Sequence, residues 1–128
     1  MKYTAFFDGS AQPNPGIKRI GGRILYNGTV IVEFNDVTGR GTNNEAEYEA
    51  LLKLSEIIKK QRIKEIDIYG DSQLVVNQIN KIWKCTKPNL IPLLKKIQEN
   101  LSEINYTLRY IPREQNSESD KLSKRGIL

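Results

Sequence analysis

Four acidic residues stand where a carboxylate does more than keep a surface wet: Asp8, Glu47, Asp71 and Asp120. Asp8 and Asp71 each follow a short apolar run, Glu47 falls on the apolar stripe of a helical pattern, and Asp120 stands at the start of a late helical stretch. Carboxylates gathered without lysine or arginine partners repel one another and call for cations. Magnesium takes oxygen ligands and keeps waters and substrate phosphates in its shell. The four acids therefore point to metal-assisted phosphodiester chemistry.

Glu47 carries the sharpest local signal. At roughly 100° per residue, Leu51, Leu54 and Ile58 fall within about 40° of Glu47 around the helix axis. Glu45, Glu49 and Glu56 project to the other side and are expected to face water. A carboxylate on the core side is unusual unless it is paired or bound to metal. The plainer alternative is a charge complementing the helix dipole, which suits Glu45 better than Glu47. For Asp8 and Asp71 the alternative is a turn or helix cap. For Asp120 it is a capping box with Ser117. Two aspartates at the same end of adjacent strands would repel without a cation between them.

Composition narrows the chemistry. The 128 residues are the size of a single domain, 1–128, and carry a formal charge of +5, compatible with a polyanionic partner. There is no histidine, which excludes Ser-His-Asp and Cys-His sites and zinc sites with imidazole ligands. One cysteine, Cys85, allows no internal disulfide and fits a reducing compartment. No apolar run reaches membrane-spanning length and the first residues lack a signal-peptide core. A cytoplasmic monomer with no membrane partner is expected.

The elements that must position these acids follow from periodicity. Residues 2–8 alternate as a strand ending at Asp8, followed by a loop holding Pro13, Asn14, Pro15 and Gly16. Residues 20–26 and 29–37 flank Asn27-Gly28, the strongest short hairpin signal. Residues 45–60 read as a helix, 63–70 as a strand, and 72–82 as a second helix. Pro88 suits the opening of a third helix, 106–111 is a fifth strand stopped by Pro112, and 116–125 forms a short last helix. The expected fold class is α/β, a mixed five-stranded sheet flanked by helices. Strands 1–3 run antiparallel and strands 1, 4 and 5 parallel. Ligands of such sheets bind beyond the carboxyl ends of parallel strands, where Asp8 and Asp71 are expected.

Four motifs then appear in order. Phe6-Phe7-Asp8-Gly9-Ser10 with Asn14-Pro15-Gly16 resembles the first motif of type 1 ribonuclease H. Thr42-Asn43-Asn44-Glu45-Ala46-Glu47 resembles the second, and Asp71-Ser72-Gln73-Leu74-Val75 the third. Residues 111–116 with Ser117-Glu118-Ser119-Asp120-Lys121-Leu122 resemble the fourth, in the form of the archaeal-like members without a basic handle. Together the motifs cover nearly the whole chain, which no single one would make specific.

The resemblance implies an endonuclease that hydrolyses the RNA strand of RNA/DNA hybrids and leaves 5′-phosphate and 3′-hydroxyl ends. It implies two magnesium ions, with manganese as a substitute, held by Asp8, Glu47, Asp71 and Asp120. Two ions about 3.5–4 Å apart clamp an in-line displacement. It also implies substrate contacts from Gly9, Asn14, Asn43, Asn44 and Gln73, through short amides and backbone groups that can read a 2′-hydroxyl, and from Thr42 to a DNA phosphate. Relatives often place a histidine before the last aspartate; here Arg113 and Glu114 occupy that region. Lys84, Lys87, Lys95 and Lys96 offer a small basic patch in place of the handle, or a solvated helix face. Double-stranded RNA is a second candidate partner. The rival readings are a non-catalytic hybrid- or RNA-binding module and another nuclease of the same fold; against the latter, its three-prime exonucleases carry Asp-x-Glu in the first strand, where this chain has Asp8-Gly9-Ser10.

Overall fold

Asn27 and Gly28 turn the chain with φ of 50° and 83°, the left-handed pair that a tight hairpin needs. They join β2 (Gly16–Tyr26) to β3 (Thr29–Gly41), and a turn at Pro13-Asn14-Pro15 joins β2 to β1 (Tyr3–Gln12). These three strands form the antiparallel meander in a computed structural model that describes residues 2–116. β4 (Glu65–Gly70) pairs in parallel with β1 on one side and with β5 (Asn105–Tyr110) on the other. The sheet order is β3-β2-β1-β4-β5, the mixed five-stranded arrangement expected.

Three helices complete the described fold: α1 (Asn43–Lys60), α2 (Gln73–Ile79) and α3 (Ile91–Leu101), with a 3-10 turn at Arg113–Asn116. All three bury apolar side chains in one cluster with Ala5, Phe7, Ile20, Ile24, Ile66, Ile68 and Leu108. Strand side chains alternate between faces, so these residues define one covered face. Across the sheet, Phe6 stacks on Tyr69 with ring centroids 5.4 Å apart, and the Arg23 guanidinium lies 5.1 Å from the Phe6 centroid. No described helix is long and apolar enough to cross a membrane.

Several boundaries depart from the periodicity. β1 does not stop at Asp8 but runs on to Gln12, because β2 keeps pairing with it through Gln12↔Ile17. β4 begins at Glu65 rather than 63: Arg62 adopts φ 58°, and Ile63 N–H returns to the Ile58 carbonyl at 3.2 Å to close the end of α1. α2 stops at Ile79, with Lys81 at φ 64° turning the chain away. Pro88 does not open α3. Leu90 and Ile91 first close a turn onto the Lys87 carbonyl, at 3.0 and 3.1 Å, and the helix starts at Ile91 with Pro92 in its first turn. Asn116 ends the 3-10 turn, and the rest of the expected last helix, with Asp120, lies outside the described residues.

Candidate metal centre and polar pocket

The parallel register decides where the acids meet. β1 and β4 pair from Thr4↔Asp67 to Phe7↔Gly70, so Asp8 and Asp71 each stand one residue past the last pair. Asp8 is thus at the end of the parallel ladder although it sits within β1, opposite Gly21 of β2. Glu47 reaches them from the second turn of α1, where the stripe of Leu51, Leu54 and Ile58 faces the core. Oxygens of Asp8, Glu47 and Asp71 lie within 4.8 Å of one another.

The three side chains are shielded from solvent, that of Asp71 being 1% exposed. Asp8 is 1% exposed and Glu47 6%. Neither Asp71 carboxylate oxygen has a hydrogen-bond partner among the described residues, and Arg113 Nε stands 3.9 Å from Oδ2. Burial pushes the Glu47 carboxyl well above its ordinary range, and the negative fields of Asp8 and Asp71 add to the rise. The Gly9 N–H, which donates to Glu47 Oε1 at 2.8 Å, pulls the other way. Buried acids in mutual repulsion, with oxygens left unbonded, fit a hard divalent cation.

Gly9 also has a packing task that the sequence did not announce. A Cβ there would fall 2.3 Å from the carbonyl carbon and oxygen of Ala46 and 2.6 Å from the Glu47 nitrogen. The missing side chain lets α1 approach the strand. Gly9→Ala must push the helix off β1, and we expect a stability loss of about 3 kcal/mol. Denaturant unfolding measures it, and a variant as stable as the parent would contradict the packing argument.

Four of the other expected contact residues do come together. Asn14, Thr42, Asn43 and Asn44 line a polar cavity of about 490 Å³. Asn14 Oδ1 accepts from Asn43 N–H at 3.0 Å, and Asn43 Oδ1 accepts from Ala11 N–H at 2.6 Å. These bonds pin the β1–β2 turn to the start of α1. Gln73 lies apart, exposed as the first residue of α2 and outside that lining. The expected lysine patch divides: Lys87 lines the polar cavity, while Lys84 and Lys95 line a groove beside Trp83.

Sequence reasoning missed Asn89 and Lys18. Asn89 follows Pro88 in a turn and carries no local signal, yet it lines the polar cavity. Lys18 is only 6% exposed, with Nζ 2.5 Å from Glu49 Oε2. Its spacing of two from Ile20 places it on the inward face of β2, a parity that could have marked it. Glu45 and Glu49 do not simply face water as expected, because the β2–β3 hairpin folds over the start of α1. Glu49 bonds Lys18 and the Thr38 hydroxyl, the latter at 2.5 Å. Glu45 closes a capping box with Thr42. The Thr42 N–H, foremost, holds the Glu45 carboxyl below its ordinary value against a modest cost of burial. The Asn89 and Thr42 side chains and the Lys18 charge also favour its ionised form.

Comparison with known proteins agrees with this geometry. The family model described as reverse transcriptase-like matches residues 6–126. Ribonuclease HI of Halobacterium salinarum is 32% identical over 125 residues, covering 96% of this chain and 63% of that protein. The crystal structure of RNase H1 from Halobacterium salinarum NRC-1 superposes with a TM-score of 0.92 at 31% identity, covering 98% of this chain and 96% of that one. LC11-RNase H1 in complex with an RNA/DNA hybrid superposes with a TM-score of 0.85 at 33% identity, covering 97% and 95%. The chain spans less than two thirds of the length of the first curated relatives it matches.

Proposed function

The chain belongs to the ribonuclease H family, and from that premise we propose that it hydrolyses the RNA strand of RNA/DNA hybrids from within. The products are 5′-phosphate and 3′-hydroxyl ends. The observation that carries this reading is the buried trio of Asp8, Glu47 and Asp71, whose oxygens lie within 4.8 Å of one another.

Those three residues, with Asp120, would hold two magnesium ions. Bound there, the ions would acidify the attacking water and steady the departing 3′ oxygen. The chain's own residues set the stage for that. Gly9 N–H fixes which way the Glu47 carboxylate points. Asn116, whose amide donates to the Phe7 carbonyl at 3.0 Å, returns the chain to the neighbourhood of Asp8. Asp120 follows four residues later, within a contour of about 14 Å, which supports its membership of the site.

The polar cavity supplies the second half of the function. Asn14, Asn43, Asn44 and Asn89 offer amides that both donate and accept, and Lys87 offers a cation beside them. Such a surface suits a phosphate backbone and 2′-hydroxyls. Gln73, two residues after Asp71, would supply a contact nearer the metals.

The deciding assay uses purified protein with three duplexes: a DNA strand paired to an internal RNA tract, RNA on RNA, and DNA on DNA. We expect internal cuts in the hybrid's RNA with magnesium or manganese, and none with chelator. Cleavage should weaken steeply with salt, as phosphate-directed binding does. An intact hybrid in both metals would overturn the reading; binding without cleavage would favour a non-catalytic module.

A further inference from the structure

Glu45 stands out because it is an acid seated on donors that a substrate phosphate would use. Its Oε1 accepts from Thr42 N–H at 2.9 Å and from the Thr42 hydroxyl at 3.2 Å. The Asn89 side chain is close enough to favour the ionised form of the same carboxylate. Thr42 and Asn89 both line the polar cavity. Gly41 leaves room for the acid: a Cβ there would come within 2.6 Å of Glu45 Oε1 and 2.9 Å of Lys18 Cδ. Lys18 lies behind and is tied to Glu49, so its charge supports the carboxylate without leaving the interior.

We propose that Glu45 is an internal anion that competes with a nucleic-acid phosphate for the Thr42–Asn89 cradle and thereby holds down affinity for the hybrid. This rests on the reading of the cavity as a backbone-binding surface. A phosphate entering the cradle must take the Thr42 hydroxyl proton from Glu45 or sit beside its charge. A capping box needs only an acceptor at this position, and glutamine serves that as well as glutamate. The negative charge is therefore superfluous to the helix start, and its effect falls on the ligand.

Glu45→Gln separates the two roles. It keeps the hydrogen bond to Thr42 N–H and removes the charge. Binding of a fluorescent hybrid in chelator, where nothing is cut, should tighten roughly three- to tenfold at low salt, as expected for one unit charge a few ångströms away in a wet pocket. The gain should shrink as salt screens it. Glu56→Gln makes the same change of charge on the exposed side of α1 and should leave binding unaltered. Asn89→Ala, which leaves the cap intact, should erase most of the gain. A neutral methylphosphonate walked along each strand should abolish the gain at one phosphate only.

Equal or weaker binding by Glu45→Gln, with melting temperature preserved, would reduce Glu45 to a helix cap and overturn the proposal. So would a gain matched by Glu56→Gln, or one indifferent to Asn89→Ala. Failure of the underlying reading shows differently: the parent protein would then cut no hybrid in magnesium, whatever the two affinities are.

Discussion

Asp71→Asn should lower the proposed hybrid cleavage in magnesium by roughly a thousandfold, about 4 kcal/mol of barrier, while the protein should melt in chelator no lower than the parent. Both halves follow from one observation. The Asp71 oxygens are buried and accept no hydrogen bond among the described residues. An amide of the same shape therefore removes no internal bond. It also relieves the repulsion that Asp71 exerts on Glu47 and Asp8. The guanidinium of Arg113 loses a partner at 3.9 Å, but with its side chain 57% exposed that loss is small. Single-turnover cleavage and paired melts with magnesium and with chelator check the expectation. The parent should gain stability from magnesium by ligand linkage, and the variant should not. A variant that cleaves at full rate would remove Asp71 from the mechanism, and one that unfolds in chelator would show the carboxylate to be structural.

Glu47→Gln has the other large effect, and it shows in pH. Burial, then Asp8, then Asp71 raise the Glu47 carboxyl well above the ordinary value of 4.5 in the metal-free protein. A raised acid binds its proton more tightly when folded than when unfolded. Its contribution to stability is thus complete below 4.5 and is lost as pH climbs through the raised folded value. Metal-free parent protein should lose stability over that window, and Glu47→Gln should flatten the loss while Gly9 N–H still finds an acceptor. Magnesium should offset the loss in the parent, since the proton and the cation compete for the same oxygens. Cleavage by the variant should fall two to three orders of magnitude, several kcal/mol of lost metal support. A pH–stability profile of the variant parallel to that of the parent would place the titration elsewhere.

Much of this was legible in the chain itself. Asn27-Gly28 announced the hairpin because few residue pairs accept two positive φ angles in succession. Glu47 announced itself because an acid in phase with Leu51, Leu54 and Ile58 has to point inward. What escaped notice depended on neighbours distant in sequence. Gly9-Ser10-Ala11-Gln12 has no apolar alternation, so nothing local says that β2 holds it in the sheet. Glu49 looks solvent-facing on a helix taken alone, but the hairpin brings Lys18 and Thr38 to it. Nothing around Gly9 in the sequence says that Ala46 will press against it. Asn89 gives no sign at all, because its place beside Thr42 in the cavity lining depends on the fold.

β1 lies in the middle of the sheet, laddered to β2 on one flank and to β4 on the other. The main chain leading to Asp8 is held on both flanks through Phe7 and by β2 at Asp8 itself, so its amides should be among the last to open. In the proposed reaction, any adjustment as a scissile bond passes from reactant to product would have to be made by groups hung on that spine, not by the spine itself. The proposed reaction would thus work over a fixed anvil, with Glu47 brought to it by α1.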